Sequence, residues 1–178
     1  MNIPNTLTLI RIILVPVFVI LLMQDSFSYA LLVFVIAGVT DGLDGFLARI
    51  LKQQTVLGSY LDPLADKALI ITAFVALSIL DIIPGWLTVI VISRDCIILL
   101  GVSVLFLMSV SFEIRPTYVS KATTALQFLT AFLVLMSLFI PGCINHMMIV
   151  TLFWITAFFT VVSGFNYIFK GIKIINNS

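Results

Sequence analysis

Six apolar stretches, each near the length of a bilayer-crossing helix, take up most of this chain. They cover residues 8–23, 29–49, 58–80, 84–108, 116–140 and 145–169. A helix needs about 20 apolar residues to cross the hydrocarbon core of a bilayer. Six crossings therefore leave only short loops in a chain of 178 residues. The remaining composition agrees: 62% of residues are hydrophobic and 10% charged, against roughly a quarter charged in ordinary soluble domains. A water-soluble globule is excluded, and so is a disordered chain, which needs low hydrophobicity and high net charge. A net charge of +1 provides no basic field for nucleic acid. The expected fold is all-α, a polytopic membrane protein of six transmembrane helices with a short N-terminal interfacial segment.

Pro84-Gly85, Pro116 and Pro141-Gly142 punctuate the stretches, as residues that favour turns and helix starts. No repeat, linker or low-complexity segment divides them, so residues 1–178 read as one membrane domain. The first stretch lacks the features of a signal peptide: no Lys or Arg precedes it, Arg11 lies inside it and no Ala-x-Ala site follows. It is expected to be retained as the first membrane helix. With the N-terminus on the cytoplasmic side, the outer loops (24–28, 81–83, 141–145) hold no Lys or Arg, whereas Arg49, Lys52, Arg115, Lys170 and Lys173 all fall inside. That distribution predicts both termini in the cytoplasm. Trp86 and Tyr167 are expected in opposite interfacial belts. Cys96 and Cys143 are too few for a disulfide framework or a zinc site and read as structural.

Half of the eight acidic residues lie in one segment, DGLDGFLARILKQQTVLGSYLDPLAD, which runs from Asp41 to Asp66. Asp41 and Asp44 are three apart, and Asp62 and Asp66 are four apart, so each pair shares a helical face. A short connection makes the two helices antiparallel neighbours, and the four carboxylates can converge near the inner side. One ionised group at the bilayer centre costs about 2.5–3.5 kcal/mol even on a lenient scale, so four require compensating cations. Oxygen-only ligands select magnesium, manganese or calcium over zinc. Two such ions would form a clamp suited to phosphoryl chemistry. Gly45 and Ala48 leave room beside the carboxylates for a ligand or, alternatively, for helix packing. Arg49 suits a phosphate or an interfacial anchor.

Asp41, Asp44, Gly45, Ala48, Arg49, Gly58, Asp62 and Asp66 together resemble the signature of the class I CDP-alcohol phosphatidyltransferases: D-x-x-D-G-x-x-A-R, eight residues, then G-x-x-x-D-x-x-x-D. The match has no gap or substitution. The resemblance implies an enzyme in which an acceptor hydroxyl attacks the lipid-side phosphorus of CDP-diacylglycerol and CMP leaves. It implies Asp41, Asp44, Asp62 and Asp66 as ligands of a divalent cation, Mg²⁺ or Mn²⁺ and two ions in number. Asp66 is also implied as the catalytic base. Gly45, Ala48, Arg49 and Gly58 would line the nucleotide pocket, with Asn5 and Thr8 from the opening IPNTLTLIR beside it. Members are commonly homodimers, so a homodimer in a membrane lipid environment is implied. The expected location is a bacterial cytoplasmic membrane with the active site on the cytoplasmic side.

The acceptor reading rests on the C-terminal half. Arg94, in ISRDC, lies near the bilayer midplane and should find a carboxylate or a phosphate, with Asp95 pointing elsewhere on the helix. Arg115 and Lys121 lie in RPTYVSKATTALQ. Arg94, Arg115 and Lys121 are the candidate acceptor-phosphate residues. Phosphatidylglycerophosphate synthases typically carry G-K-x-K-T-x-x-Q here, whereas this chain has Ser120 and Thr123 at the glycine and second lysine. The pattern resembles the eukaryotic, CDP-alcohol type of cardiolipin synthase, which implies phosphatidylglycerol as acceptor; the alternative is glycerol 3-phosphate. A more distant alternative of another class is a divalent-cation transporter, since intramembrane carboxylates also mark ion pathways. Its outer half would offer only Asp25 and Asp81.

Overall fold

Apolar surroundings leave the backbone no water to bond with, and helices satisfy its N–H and C=O groups internally. The computed structural model describes the backbone of residues 3–51, 56–107 and 118–176, and the side chains of residues 10–40, 67–101 and 118–171. Those residues form six helices and no strand: α1 (Ile3–Met23), α2 (Phe27–Leu51), α3 (Val56–Ile79), α4 (Gly85–Leu107), α5 (Tyr118–Phe139) and α6 (His146–Asn176). Two of them, over Tyr118–Phe139 and His146–Gly171, are long and apolar enough to cross a membrane. The all-α class and the six helices agree with the sequence reading.

The helix ends follow from local chemistry. Asp25 and Asp81 both take the left-handed conformation, φ 55° in each case. At the first, the Ser26 N–H bonds Leu21 O at 2.9 Å; at the second, the Ile82 N–H bonds Leu77 O at 2.9 Å. These are Schellman ends, with Asp where glycine is usual. The Pro141-Gly142 corner behaves as its sequence predicts: Gly142 has φ 88°, the Cys143 N–H bonds Ile140 O at 3.2 Å, and the result is a type II turn. Asn145 then caps α6, its Oδ1 accepting from the Met147 N–H at 2.9 Å.

The chain divides into two compact units, the first holding residues 1–82 and 131–144, the second residues 83–130 and 145–178. In the first, α1 packs on both α2 and α3. Phe18 and Leu22 of α1, Ala30, Phe34 and Ala37 of α2, and Ala73, Phe74 and Leu77 of α3 are fully buried, at the three- and four-residue spacing of one helical face. The Phe18 and Phe34 rings are 5.7 Å apart between centroids and tilted by 41°.

In the second unit, α4 packs on α6, and a ladder of buried polar side chains ties α5 to α6. Thr130 Oγ1 and Thr156 Oγ1 are 2.7 Å apart. Since the Thr130 hydroxyl also donates to Leu126 O at 2.7 Å, its proton is used there and Thr156 is the donor between the pair. Gln127 Nε2 donates to Thr160 Oγ1 at 3.2 Å, and the Thr160 hydroxyl donates to Thr156 O at 2.7 Å. Thr123 Oγ1 lies 2.8 Å from Val119 O and 3.1 Å from Phe159 O. Interhelical polar contacts of this kind are worth about 0.6 kcal/mol on average and about 1.7 at most. A double-mutant cycle of Thr130→Val and Thr156→Val, followed by unfolding in detergent micelles, is therefore expected to give a coupling energy of about 0.6–1.7 kcal/mol. Additive losses would show that the rung carries no energy of its own.

Candidate active site

The acidic segment maps onto the facing ends of two consecutive helices in the first unit. Asp41 and Asp44, with Gly45, Ala48 and Arg49, lie in the C-terminal part of α2, and Gly58, Asp62 and Asp66 lie in the N-terminal half of α3. At 1.5 Å of rise per residue, Asp41 and Asp44 stand about 15 and 11 Å from the end of α2, and Asp62 and Asp66 about 9 and 15 Å from the start of α3. α2 and α3 are in contact, and α1, carrying Asn5 and Thr8, packs on both. The side chains of Asn5, Thr8, Asp41, Asp44, Gly45, Ala48, Arg49, Gly58, Asp62 and Asp66 lie outside the described residues, as does Arg115 altogether. Among the described residues no group of three or more His, Cys, Asp or Glu could hold a metal ion. The donor set of the acidic segment, four carboxylates at i,i+3 and i,i+4 on helical backbone, fits hard divalent cations by its chemistry.

Thr40 adjoins this segment in sequence, and Arg11 lies on α1, the helix that packs on both α2 and α3. Thr40, directly before Asp41, donates its hydroxyl to Ile36 O at 2.8 Å and lies 2.9 Å from Ala37 O. It is therefore satisfied by its own helix. Arg11 is 1% exposed on α1. Its position inside an apolar run is the sequence signal for a buried charge.

The second unit holds the other candidate residues, and here the structure corrects the sequence reading. Asp95 was expected to point away from Arg94; instead Arg94 Nη1 donates to Asp95 Oδ1 at 2.6 Å, with the two side chains 4% and 5% exposed. Neighbours in sequence do not share a helical face, but a long flexible arginine can fold back to reach one, and a buried charge left without a partner costs several kcal/mol. Three more guanidinium N–H groups are also engaged. Nε and Nη2 donate to Ser163 Oγ at 3.3 and 2.9 Å, and Nη2 donates to Ser120 Oγ at 2.6 Å.

Tyr167, expected in an interfacial belt, places its ring 5.9 Å from the Arg94 guanidinium carbon, a cation–π distance. Trp86 pairs with Trp154, centroids 4.9 Å apart. Lys121 is exposed in the first turn of α5, next to Ser120. Cys96 and Cys143 are free thiols, both exposed.

Truncating one member of this ion pair leaves the other buried and charged. Arg94→Ala is expected to destabilise the protein by about 3–5 kcal/mol. The double replacement Arg94→Met with Asp95→Leu removes both charges and should cost less than the single truncation. Thermal unfolding in detergent measures both; equal losses would show that the pair is not an energetic unit.

Comparison with known proteins agrees with the signature. The family model described as CDP-alcohol phosphatidyltransferase matches residues 1–162. A human cardiolipin synthase (CMP-forming) is 37% identical over 190 aligned residues, covering 97% of this chain and 62% of that protein. The chain thus spans less than two thirds of the length of this relative. The CDP-diacylglycerol–glycerol-3-phosphate 3-phosphatidyltransferase of Bacillus subtilis is 31% identical over 192 aligned residues, covering 99% of this chain and 98% of that protein. A cardiolipin synthase (CMP-forming) of Streptomyces coelicolor is 39% identical over 111 residues, covering 59% of this chain and 52% of that protein. Neither the family match nor these relatives supports the cation-transport alternative. With eight signature positions in place on two adjoining helices and the family model matched over most of its length, the chain belongs to the CDP-alcohol phosphatidyltransferase family.

Proposed function

We propose that this protein transfers the phosphatidyl group of CDP-diacylglycerol to a hydroxyl of a glycerol-derived acceptor, with release of CMP, and that the acceptor is phosphatidylglycerol. The observation that carries this reading is the gapless signature from Asp41 to Asp66, borne by two helices in contact.

In the proposed reaction, the acceptor oxygen forms a bond to the lipid-side phosphorus and the bond from that phosphorus to the CMP oxygen breaks. The Asp66 carboxylate takes the hydroxyl proton, as a general base. Asp41, Asp44, Asp62 and Asp66 would hold two Mg²⁺ or Mn²⁺ ions, which when bound neutralise the diphosphate and align the displacement. Gly45, Ala48, Arg49 and Gly58, with Asn5 and Thr8, receive the nucleotide. Lys121 and Arg115 supply positive charge for the acceptor's phosphate, with Arg94 acting behind them.

The same reading places all six helices across a membrane. Rows of large apolar side chains are exposed along several of them, among them Ile13, Leu32, Val89, Leu100, Trp154, Phe158 and Phe165. Such surface suits hydrocarbon and is poorly suited to water. With the Lys- and Arg-bearing loops taken as inner, both termini and the active site would face the cytoplasm, in keeping with the proposed bacterial cytoplasmic membrane. A homodimer is part of the proposal on family grounds.

The Bacillus relative matches over nearly its whole length and favours glycerol 3-phosphate as the second reading. Against it, Ser120 and Thr123 leave Lys121 without a second lysine in its turn, which suits a singly charged phosphodiester better than a phosphomonoester dianion.

The test presents purified protein with CDP-diacylglycerol, Mg²⁺ or Mn²⁺, and each acceptor in turn, and measures CMP and product lipid. Cardiolipin formed from phosphatidylglycerol is the expected product; turnover with glycerol 3-phosphate alone overturns the acceptor assignment. Chelation of divalent cations is expected to stop turnover. Asp66→Asn should lower kcat by about 10²-fold or more, and Asp62→Asn comparably, with thermal unfolding unchanged. Full activity in either variant would remove that residue from the centre.

A further inference from the structure

Lys121 is one of three nearby residues in the first two turns of α5 that differ sharply in how they are held. Ser120 accepts a 2.6 Å hydrogen bond from Arg94 Nη2 of α4. Thr123 is fully buried, its hydroxyl within reach of the Phe159 carbonyl of α6 at 3.1 Å. Lys121, between them, is exposed. The start of α5 is therefore anchored on one side to α4 and on the other to α6, with a cation exposed between the anchors.

Arg94 itself has little left to offer a substrate. Its charge is met by Asp95 at 2.6 Å, both Nη2–H and Nε–H are spent on Ser120 and Ser163, and Tyr167 lies against it. The Arg94 backbone stands nine residues into α4, about 14 Å from its start. The guanidinium nonetheless ends at the first turn of α5. A planar fork with five donors can bridge three helices from one position, which a lysine cannot do.

We propose that Arg94 and Thr123 are positioning residues that pin the first two turns of α5 and thereby present Lys121 to the acceptor's phosphate. The inference rests on the function proposed above and deepens it. With the backbone of Lys121 already fixed on both flanks, binding the acceptor has only the lysine side chain left to order. A single presented cation matches a singly charged phosphodiester, which makes this turn a determinant of acceptor choice.

The experiment measures KM for phosphatidylglycerol and for CDP-diacylglycerol separately, in mixed micelles with Mg²⁺, for the unmodified protein and for Lys121→Ala, Ser120→Ala, Thr123→Val and Arg94→Lys. Lys121→Ala is expected to raise the acceptor KM about tenfold or more, the worth of one charge-assisted hydrogen bond. Ser120→Ala and Thr123→Val should each raise it severalfold, with kcat and the KM for CDP-diacylglycerol within about twofold of the starting protein. Arg94→Lys keeps the charge and loses the bridge, so it should not rescue. If that variant fails to fold, Ser120→Ala and Thr123→Val decide alone.

In the Lys121→Ala background, Ser120→Ala is expected to add nothing further, because its effect runs through the lysine. An additive loss there, or an equal rise of KM for both substrates, or a drop in thermal stability with unchanged KM, would overturn the proposal. Failure of the parent reading has a different signature: no CMP released by the unmodified protein with either acceptor.

Discussion

Polar side chains carried into an apolar interior must find partners there, and the arrangement of the second unit is dictated by that requirement. An unpartnered hydroxyl or amide away from water costs about 1–3 kcal/mol, and a charge more. The α5 side chains at 120, 123, 127 and 130 recur at three- and four-residue spacing, as do the α6 residues at 156, 160 and 163. Each set forms a stripe: Gln127 and Thr130 meet Thr160 and Thr156 directly, Thr123 reaches the Phe159 carbonyl, and Arg94 bridges Ser120 to Ser163. Rotating α6 by half a turn would break both direct side-chain rungs, Gln127–Thr160 and Thr130–Thr156. Hydrocarbon packing alone tolerates many registers, since lipid tails are as apolar as leucine; the ladder selects one.

The same accounting separates two kinds of charged group in this chain. Arg94 and Asp95 cancel within the protein, one against one, with two serines taking the remaining guanidinium donors that are engaged. A site built this way is closed and serves structure. The segment from Asp41 to Asp66 holds four carboxylates against two cations, Arg49 and Lys52. That imbalance is what a site awaiting divalent cations and a charged nucleotide requires. In the proposed centre that excess of negative charge would set up mutual repulsion, which divalent cations would relieve.

The helices were legible because hydropathy reports them directly, but it reports the apolar length and not the helix. The sequence ends the sixth stretch at residue 169, while α6 continues to Asn176 past Lys170 and Lys173. Polar groups at an interface do not stop a helix, so its tail has no apolar signature. Likewise α1 begins at Ile3, ahead of the apolar run. The Pro141-Gly142 turn was readable because glycine advertises positive φ. The ends at Asp25 and Asp81 were not, because aspartate takes the left-handed conformation less often than glycine and its presence reads as a loop acid.

Arg94 marks where spacing rules lose their grip. Those rules track where the Cβ atom points, and they correctly say that residues 94 and 95 do not share a face. They say nothing about a side chain long enough to turn back on its own helix and also to reach two others. Where a short side chain's partner follows from periodicity, a long one's partner is chosen by the strongest available interaction, here a carboxylate one residue away. The signal that was available is the ladder: Ser120, Thr123, Gln127 and Thr130 share a face of α5. A continuous polar stripe on an apolar helix predicts a polar partner along its whole length. Ser163, one turn beyond Thr160 on the facing stripe of α6, is where an arginine from elsewhere in the unit would be expected to arrive.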